Sequence, residues 1–349
     1  MKYHFAGPFV AMAAAASIFV LAARPAVAQA EAPKAPSAAR TKTWVQPKTP
    51  WGDPDLQGTW TSDDCIGTPM NRPANFGNRL YYTEQELAER EKQIQKRHET
   101  DLVETVAQNA RVGTGPPNHW GESARRPCRQ TSLVVDPPDG QTPALVPEAV
   151  NRYGGEPATN NHPKADSWLD FSSYIRCISR GVVGSIYPVV YGNGQQIVQA
   201  PGSIVILQEM VHEARVIPMD GRPHASAEIR TYMGDPRGHW EGNTLVVETT
   251  NFLGGKTSVT ANGWGTPTSE ELKLVERYTR VGPNEMRYEV MVDDPKTYVR
   301  PFKIGFPLTQ EPGYQNFEYA CHEGNYAMFD SLSGARAEER KAAAKAAGK

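Results

Sequence analysis

The sequence predicts a mainly β protein whose antiparallel strands curl into a barrel, and three observations lead to this class. From about residue 186 onward, short apolar segments alternate with turn signals such as GNG, MDGRP and EGN. Apolar and polar residues trade places with period two in LKLVERYTRV (272–281) and MRYEVMVDD (286–294). No G-x-G-x-x-G, phosphate-binding loop or alternating strand–helix pattern occurs. Short strands joined by tight turns favour an antiparallel meander that closes into a barrel or bends strongly.

The first thirty residues have the pattern of a signal peptide. Lys2 precedes an apolar run over 9–22, and small residues lead to Ala28 and Ala30, the two predicted cleavage sites. The run is short for a membrane span. We therefore expect a periplasmic or secreted protein with no stable membrane insertion after cleavage, and an uncleaved N-terminal anchor is the alternative. Residues 31–54 are rich in Pro and Ala and predict a linker.

One β-barrel domain is predicted over residues 55–333, with an inserted helix over 83–111 and a helical tail over 334–349. The inserted helix begins with a capping box formed by Thr83 and Glu86. Its apolar residues are sparse, so we expect it to lie across the surface with one narrow buried stripe. The predicted strands, in chain order, are 56–62, 132–135, 187–190, 196–200, 203–208, 213–218, 227–233, 237–241, 244–251, 271–281, 285–293, 297–304 and 317–321.

Charge and cysteine content narrow the partners and the compartment. The formal net charge of −2, without a basic stripe, predicts no nucleic-acid partner and favours a small molecule. Assembly with further copies of the chain is left open. The four cysteines, Cys65, Cys128, Cys177 and Cys321, predict two disulfides in an exported protein, with all three connectivities open.

The stretch GDPRGHWEGNTLVVETTNF (234–252) reads as a hairpin with a type II′ turn at Gly242-Asn243. Strand alternation sets Arg237, His239 and Glu241 on one face and Trp240 on the other. Three polar groups turned toward a barrel interior would cost several kcal/mol unless paired or hydrated. We therefore expect them either to face water outside the barrel or to line a polar cavity.

Three segments resemble the signatures of a large family of exported bacterial proteins, whose members are mostly uncharacterised: VHEARVIPMDGRPH (211–224), GDPRGHWEGNTLVVETTNF and FEYACHEGNY (317–326). The resemblance covers most of residues 50–340 and implies a lipocalin-like β-barrel with added helices, but no particular activity. The usual form of the second segment is GDSRGHWEGDTLVV. This chain departs from it at Pro236 and Asn243, which we expect to be turn positions.

The polar residues of these segments supply most of the candidate site. Histidines with neighbouring acids are the groups that proton-transfer chemistry requires. We expect His212 or His239 as the base, oriented by Glu213 or Glu241, with arginines and His322 as electrophilic or anchoring groups. The candidate catalytic residues are His212, Glu213, His239, Glu241 and His322. The candidate substrate-binding residues are Tyr187, Tyr191, Arg222, His224, Arg237 and Asn325.

The leading functional hypothesis is a cofactor-independent lyase or isomerase that uses His/acid proton transfer on a small apolar, aromatic molecule. Loss of water or formaldehyde from an aryl alcohol is a concrete example. The 14 Tyr and 7 Trp favour an aromatic substrate. The first alternative is a periplasmic carrier of hydrophobic molecules without catalysis. The second is a metal-dependent enzyme whose divalent ion is bound by histidines with Glu241 or Glu323.

Overall fold

The computed structural model describes residues 44–101, 124–152, 165–255, 267–310 and 313–348. The predicted signal peptide and the second part of the predicted inserted helix lie outside these residues. From Trp44 onward, the described residues belong to one compact unit. Within the predicted linker, Lys48 bridges to Pro54, and Gln46 and Thr49 are buried. The folded part therefore starts before residue 55.

The described residues form ten strands and three α-helices. The strands are β1 (Gly58–Trp60), β2 (Val134–Asp136), β3 (Gln195–Ala200), β4 (Ser203–Gln208), β5 (Ala214–Pro218), β6 (Asp235–Glu241), β7 (Thr244–Thr250), β8 (Lys273–Gly282), β9 (Glu285–Asp293) and β10 (Phe302–Thr309). The helices are α1 (Glu84–Asp101), α2 (Pro147–Arg152) and α3 (Ala327–Ala347).

The mainly β class is confirmed, but the strands form two antiparallel sheets rather than a closed barrel. One sheet has the order β1-β3-β4-β5 and the other β2-β10-β9-β8-β7-β6. Thr61 and Thr309 join the sheets at one side by two backbone hydrogen bonds, of 2.9 and 2.8 Å. On the other side, β5 and β6 are not hydrogen-bonded neighbours.

Side chains packed between β5 and β6 keep these two strands from pairing, and we call the gap between them the open seam. A Cβ on Gly238 of β6 would lie 2.4 Å from Met219 Sδ and 2.8 Å from Ile217 Cγ2. The β5 side therefore packs directly onto the β6 backbone at a position where only glycine leaves room. Contact between these strands is made by side chains, and the barrel is not closed by backbone pairing.

The apolar core lies between the sheets and follows the period-two pattern. Along β8, the buried residues Leu274, Glu276 and Tyr278 alternate with more accessible ones. The largest fully buried side chains include Trp60, Tyr278, Tyr288, Phe302 and Phe306. The Tyr288 ring lies 4.9 and 5.2 Å from the centroids of Tyr278 and Phe306, respectively. Aromatic packing of this kind stabilises the body that carries the sites.

Several predicted elements differ from those observed. Segments 187–190, 227–233 and 317–321 are not strands; the last two make single bridges only, at Thr231 and Tyr319. The strand predicted at 297 begins at Phe302, because the chain before it turns through hydrogen bonds to Asp294 O.

Two local predictions can be compared directly with the backbone. The capping box is present, since Thr83 N donates to Glu86 Oε2 at 2.7 Å and Glu86 N to Thr83 Oγ1 at 3.3 Å. Pro236 is not a turn residue but lies within β6, opposite Thr249. A proline fits there because β6 is an edge strand, where one missing N–H donor is tolerated.

Two disulfides are present, Cys65–Cys128 and Cys177–Cys321, with Cα–Cα distances of 4.7 and 5.7 Å. The first ties a short 3₁₀ turn before α1, Asp63–Cys65, to the segment that follows α1. The second joins the loop that precedes β3 to the segment that precedes α3. None of the helices in the described part of the chain is long and apolar enough to span a lipid bilayer.

Candidate functional site

The signature hairpin turns its polar face to solvent. Gly242 has φ +60° and Asn243 does not adopt a positive φ, as a type II′ turn requires. His239 Nε2 lies 3.3 Å from Glu241 Oε1, and Glu241 Oε2 lies 2.7 Å from Arg277 Nη2. The Arg277 hydrogen bond, assisted by His239, lowers the pKa of Glu241. His239 and Glu241 are exposed, and with Arg277 they form a row of polar contacts on the surface.

Asp235 in the same hairpin fastens a neighbouring loop to β6. Its carboxylate accepts hydrogen bonds from Ala225 N at 2.8 Å, His224 Nδ1 at 3.1 Å and Arg237 Nη1 at 2.6 Å. Arg237 also donates to Pro223 O, at 3.0 and 2.8 Å. Burial alone would raise the pKa of Asp235, but these hydrogen bonds outweigh it and lower the pKa. The signature residues therefore hold the loop in position.

His224 also contacts a second carboxylate, that of Glu248 on β7. Its Nε2 lies 3.4 Å from Glu248 Oε1, and Lys273 Nζ lies 2.6 Å from Glu248 Oε2. Asn251, with φ +59°, donates to three loop carbonyls, those of Ala225, Ser226 and Ile229. His224 is thus held between the carboxylates of Asp235 and Glu248, and it helps to fix the loop to β6 and β7.

Arg222 lies on the exposed part of this loop. It pairs with Asp220, through Nε at 2.9 and 2.8 Å from the two carboxylate oxygens. The hydrogen bonds from Arg222 lower the pKa of Asp220 to about 2. Both partners are exposed, so the pair stabilises the loop tip weakly.

A second group of predicted residues lies around an open cavity of about 520 Å³, which we call the tyrosine cavity. It forms where the Cys177–Cys321 disulfide joins the loop before β3 to the segment before α3. Its walls combine aromatic, amide and carboxylate groups. The lining residues are Tyr174, Ile175, Glu318, Tyr319, Ala320, Cys321, Glu323, Gly324, Asn325 and Ala327.

Tyr174 and Tyr319 line one wall of the cavity, and both contact Tyr191, while Arg180 lies against the Tyr174 ring. The hydroxyl oxygens of Tyr174 and Tyr191 lie 3.2 Å apart, and the rings of Tyr191 and Tyr319 stack at 6.1 Å. Burial, assisted by the bond to Tyr191, raises the pKa of Tyr174; burial also raises the pKa of Tyr319. The Arg180 guanidinium lies 5.4 and 6.0 Å from the ring centroids of Tyr174 and Tyr191.

Arg180 and Glu209 are buried beneath this wall. Arg180 Nη1 donates to Gly192 O at 2.9 Å. Burial lowers the pKa of Arg180, and the three neighbouring tyrosines, followed by Glu209, partly offset this effect. Glu209 accepts hydrogen bonds from Tyr314 Oη at 2.5 Å and from Phe317 N at 3.3 Å. These bonds tie the segment before α3 to the end of β4.

Asn325 and His212 are the other predicted residues that contact this wall. Asn325 lines the cavity, and its Nδ2 lies 2.9 Å from Cys177 Sγ. His212 Nδ1 lies 3.3 Å from Tyr319 O. His212 and the preceding Val211 have φ of +47° and +68°. A β-branched residue in this conformation is strained, and such strain often occurs at functional sites.

The remaining candidates lie elsewhere. His322 is exposed between two lining residues and does not itself line the cavity. Tyr187 packs against the hydrophobic core, and burial raises its pKa to about 12. The Glu213 carboxyl is partly buried, which raises its pKa against the opposing effects of Ser179 and Arg215.

Sequence reasoning missed a buried polar group between the sheets. Arg215 of β5 contacts Glu276 of β8, with Nη2 to Oε2 at 2.5 Å and Nη1 to Oε1 at 3.2 Å. Tyr278 and Tyr288 donate to Glu276 Oε1 at 2.8 and 3.1 Å. Burial alone would lower the pKa of Arg215, but Glu276 outweighs it and raises the pKa. The signal was present, since each charge occupies an inward position of an alternating strand.

Comparison with protein-family models, with curated proteins and with solved structures finds no match for this chain. Within the described ranges, no group of three or more His, Cys, Asp or Glu side chains is arranged to hold a metal ion. The geometry of the tyrosine cavity is therefore the basis for the functional conclusion.

Proposed function

We propose that the chain is an exported acid–base enzyme, a lyase or isomerase, that binds a small aromatic molecule in the tyrosine cavity. The observation that carries the proposal is the hydroxyl pair of Tyr174 and Tyr191, 3.2 Å apart beside the cavity. The Tyr174 hydroxyl is protonated at neutral pH, as a phenol ordinarily is, and burial raises its pKa further. It can then donate a hydrogen bond or a proton to a ligand oxygen.

The electrostatics of the wall support the same chemistry. The buried Arg180 guanidinium remains charged at neutral pH, although burial lowers its pKa. A cation beneath two phenol rings stabilises negative charge that develops on their oxygens or on a ligand oxygen beside them. Aromatic rings of Tyr174 and Tyr319 supply the apolar contact that a ring-shaped ligand requires.

The base is assigned to a carboxylate of the cavity, Glu318 or Glu323, which both line it. His212 is a weaker candidate because its Nδ1 lies on Tyr319 O, and His239 because it pairs with Glu241 on the outer surface. The two histidines therefore take positioning and surface roles in this proposal.

Dehydration of an aryl alcohol illustrates the reaction class. With 1-(4-hydroxyphenyl)ethanol, the carboxylate takes a proton from the methyl carbon, and Tyr174 gives its proton to the departing hydroxyl. The C–O bond breaks, water leaves, and the electron pair of the C–H bond becomes the C=C bond of 4-vinylphenol. The proton then returns from the carboxylate to Tyr174 through solvent. Loss of formaldehyde from an aryl alcohol is the other example of this class.

Compartment and architecture complete the proposal. The two disulfides favour an exported chain, periplasmic or secreted, in agreement with the signal-peptide pattern of residues 1–30. We further propose that the two sheets are a lipocalin-like barrel opened along the seam between β5 and β6. That architecture agrees with the resemblance of the three signature segments.

A product assay tests the enzymatic proposal. The purified chain is incubated with a panel of aryl alcohols, and vinyl products and formaldehyde are quantified by mass spectrometry. We expect turnover that falls at least about tenfold in Tyr174→Phe and in one of Glu318→Gln and Glu323→Gln, while the exposed Tyr81→Phe control keeps it. Equal turnover in all four variants would contradict the assignment.

A carrier without catalysis is the second candidate, and one observation favours it. The phenols at the wall are hydrogen-bond donors with raised pKa, and the nearby carboxylate of Glu209 already accepts two hydrogen bonds from Tyr314 and Phe317. Such a wall binds an oxygen-bearing aromatic molecule without needing to change it. Saturable binding of the same panel with no product would favour the carrier.

A further inference from the structure

Two carboxylates line the tyrosine cavity, and the proposed reaction uses only one of them as its base. Glu318 and Glu323 both belong to the segment before α3, and both are exposed. No Lys, Arg or His is among the described residues that line the cavity. Neither glutamate side chain forms an ion pair or a hydrogen bond with another described residue. One carboxylate therefore remains to bind a second group on the ligand.

The charges around the cavity determine the sign of that second group. Arg180 and Glu209 are both buried beneath the wall and carry opposite charges, which offset each other. The helix α3 begins at Ala327, which lines the cavity, and a helix N-terminus contributes about half a positive charge. The two full negative charges of Glu318 and Glu323 exceed that half charge. The cavity therefore attracts a cationic group more strongly than an anionic one.

The aromatic wall of the cavity suits an organic cation. Tyr319 follows Glu318 in the chain, lines the cavity and is 40% exposed. Its ring stacks on the ring of Tyr191, with 6.1 Å between the centroids. The face of an aromatic ring attracts an ammonium group that lies within about 6 Å of its centroid. Carboxylates beside an accessible phenol ring thus provide the contacts that a protonated amine on an aromatic molecule requires.

We propose that the tyrosine cavity selects an aryl alcohol that carries a protonated amine, and that Glu318 and Glu323 determine this preference. The inference rests on the proposed function, because it names the substrate class of the same cavity. The alcohol oxygen accepts a hydrogen bond from Tyr174, and the ammonium group pairs with the carboxylate that does not serve as the base. An aryl hydroxy acid is disfavoured, because its own carboxylate would meet two like charges.

Calorimetric titration of three matched ligands into the full chain tests this substrate class. The ligands share a phenol ring and a benzylic alcohol, and they differ in carrying a methyl, an aminomethyl or a carboxylate group: 1-(4-hydroxyphenyl)ethanol, 2-amino-1-(4-hydroxyphenyl)ethanol and 4-hydroxymandelate. At low salt and neutral pH, the amine is expected to bind about two- to tenfold more tightly than the neutral alcohol, and the acid more weakly than the neutral alcohol. The advantage of the amine should shrink in about 0.5 M salt, because ions screen exposed charges.

Charge-removing variants test the two glutamates. The double variant Glu318→Gln/Glu323→Gln should bring the ratio of amine to neutral affinity to about one, and each single variant should lower it by up to about fivefold. Glu89→Gln is the matched control, because Glu89 is an exposed glutamate of α1 that does not line the cavity, and it should keep the ratio.

The outcomes separate this inference from the proposed function. If the amine binds the wild type no better than the neutral alcohol, or if its advantage survives in the double variant, the inference is overturned, while binding of the neutral alcohol still supports the proposed function. Tightest binding by the acid also overturns it and would assign the dominant charge to the N-terminus of α3. Absence of binding by all three ligands overturns both.

Discussion

The hydroxyl oxygens of Tyr174 and Tyr191 lie 3.2 Å apart beside the tyrosine cavity. One hydroxyl donates to the other, so the pair keeps one further O–H for a ligand oxygen. The positions are set by the irregular loop before β3, which the Cys177–Cys321 disulfide fixes to the opposite wall. The proposed function depends on this pair of hydroxyl groups.

The two disulfides should differ in their effect on ligand binding. Both close long loops, with sequence separations of 63 and 144 residues. Because the stabilisation grows only slowly with loop length, removing either should cost about 2–5 kcal/mol of unfolding free energy. Only the Cys177→Ser/Cys321→Ser variant should also lose affinity for 1-(4-hydroxyphenyl)ethanol, because Cys321 lines the cavity. Urea unfolding and calorimetric titration measure the two effects. Unchanged affinity in that variant, measured while it is folded, would argue against the cavity as the binding site.

Removing one partner of the buried Arg215–Glu276 pair should lower the free energy of unfolding more than removing both charges together. Glu276→Gln leaves the Arg215 charge poorly compensated and should cost about 3–5 kcal/mol of unfolding free energy. The double variant Arg215→Met/Glu276→Gln removes that charge and keeps an amide oxygen for Tyr278 and Tyr288, so it should recover much of the loss. Urea unfolding of all three chains gives the comparison. A single variant that loses less than about 1 kcal/mol would contradict a fully buried pair.

Asp235 should give the fold part of its sensitivity to acid. Its pKa is lowered in the folded chain, so its contribution to stability is present above the unfolded pKa of about 3.9 and is lost as pH falls through the folded value. Asp235→Asn should therefore be less stable than the wild type at pH 7, with a smaller difference below about pH 4.

The measurement for Asp235 is the urea midpoint between about pH 7 and pH 2. Asp330→Asn is the charge-matched control, because Asp330 lies exposed on α3. The difference in urea midpoint between Asp235→Asn and the wild type should narrow toward acid pH. If it does not, the carboxylate holds the loop by its shape rather than by its charge.

The hairpins could be predicted from the sequence because their pattern is local. Period-two alternation and a glycine turn define β6–β7, and the same alternation defines β8–β9. Segment 227–233 misled the prediction because the Asn251 side chain binds its Ile229 carbonyl and only Thr231 forms a single bridge to another segment. Barrel closure could not be predicted, because it depends on how Ile217 and Met219 meet Gly238 across the seam.

The candidate site could be predicted only in part, because its contacts depend on the tertiary fold and not on a local sequence pattern. Of the predicted binding residues, Asn325 of the third signature segment lines the cavity, and Tyr191 contacts the lining Tyr174 and Tyr319. Tyr174 and Arg180 were missed, since they belong to an irregular loop without periodicity or motif. The signature hairpin drew attention because its polar residues are dense, although Asp235 and Arg237 serve there to hold a loop.

Calorimetric titration of 1-(4-hydroxyphenyl)ethanol into the wild type, Tyr174→Phe and the Tyr81→Phe control tests the central claim most directly. The account predicts saturable one-site binding to the wild type, about two- to tenfold weaker binding to Tyr174→Phe, as one lost hydrogen bond implies, and no change in the control. Equal affinity for all three chains, or no binding to the wild type by this compound and by the rest of the aryl alcohol panel, would contradict it.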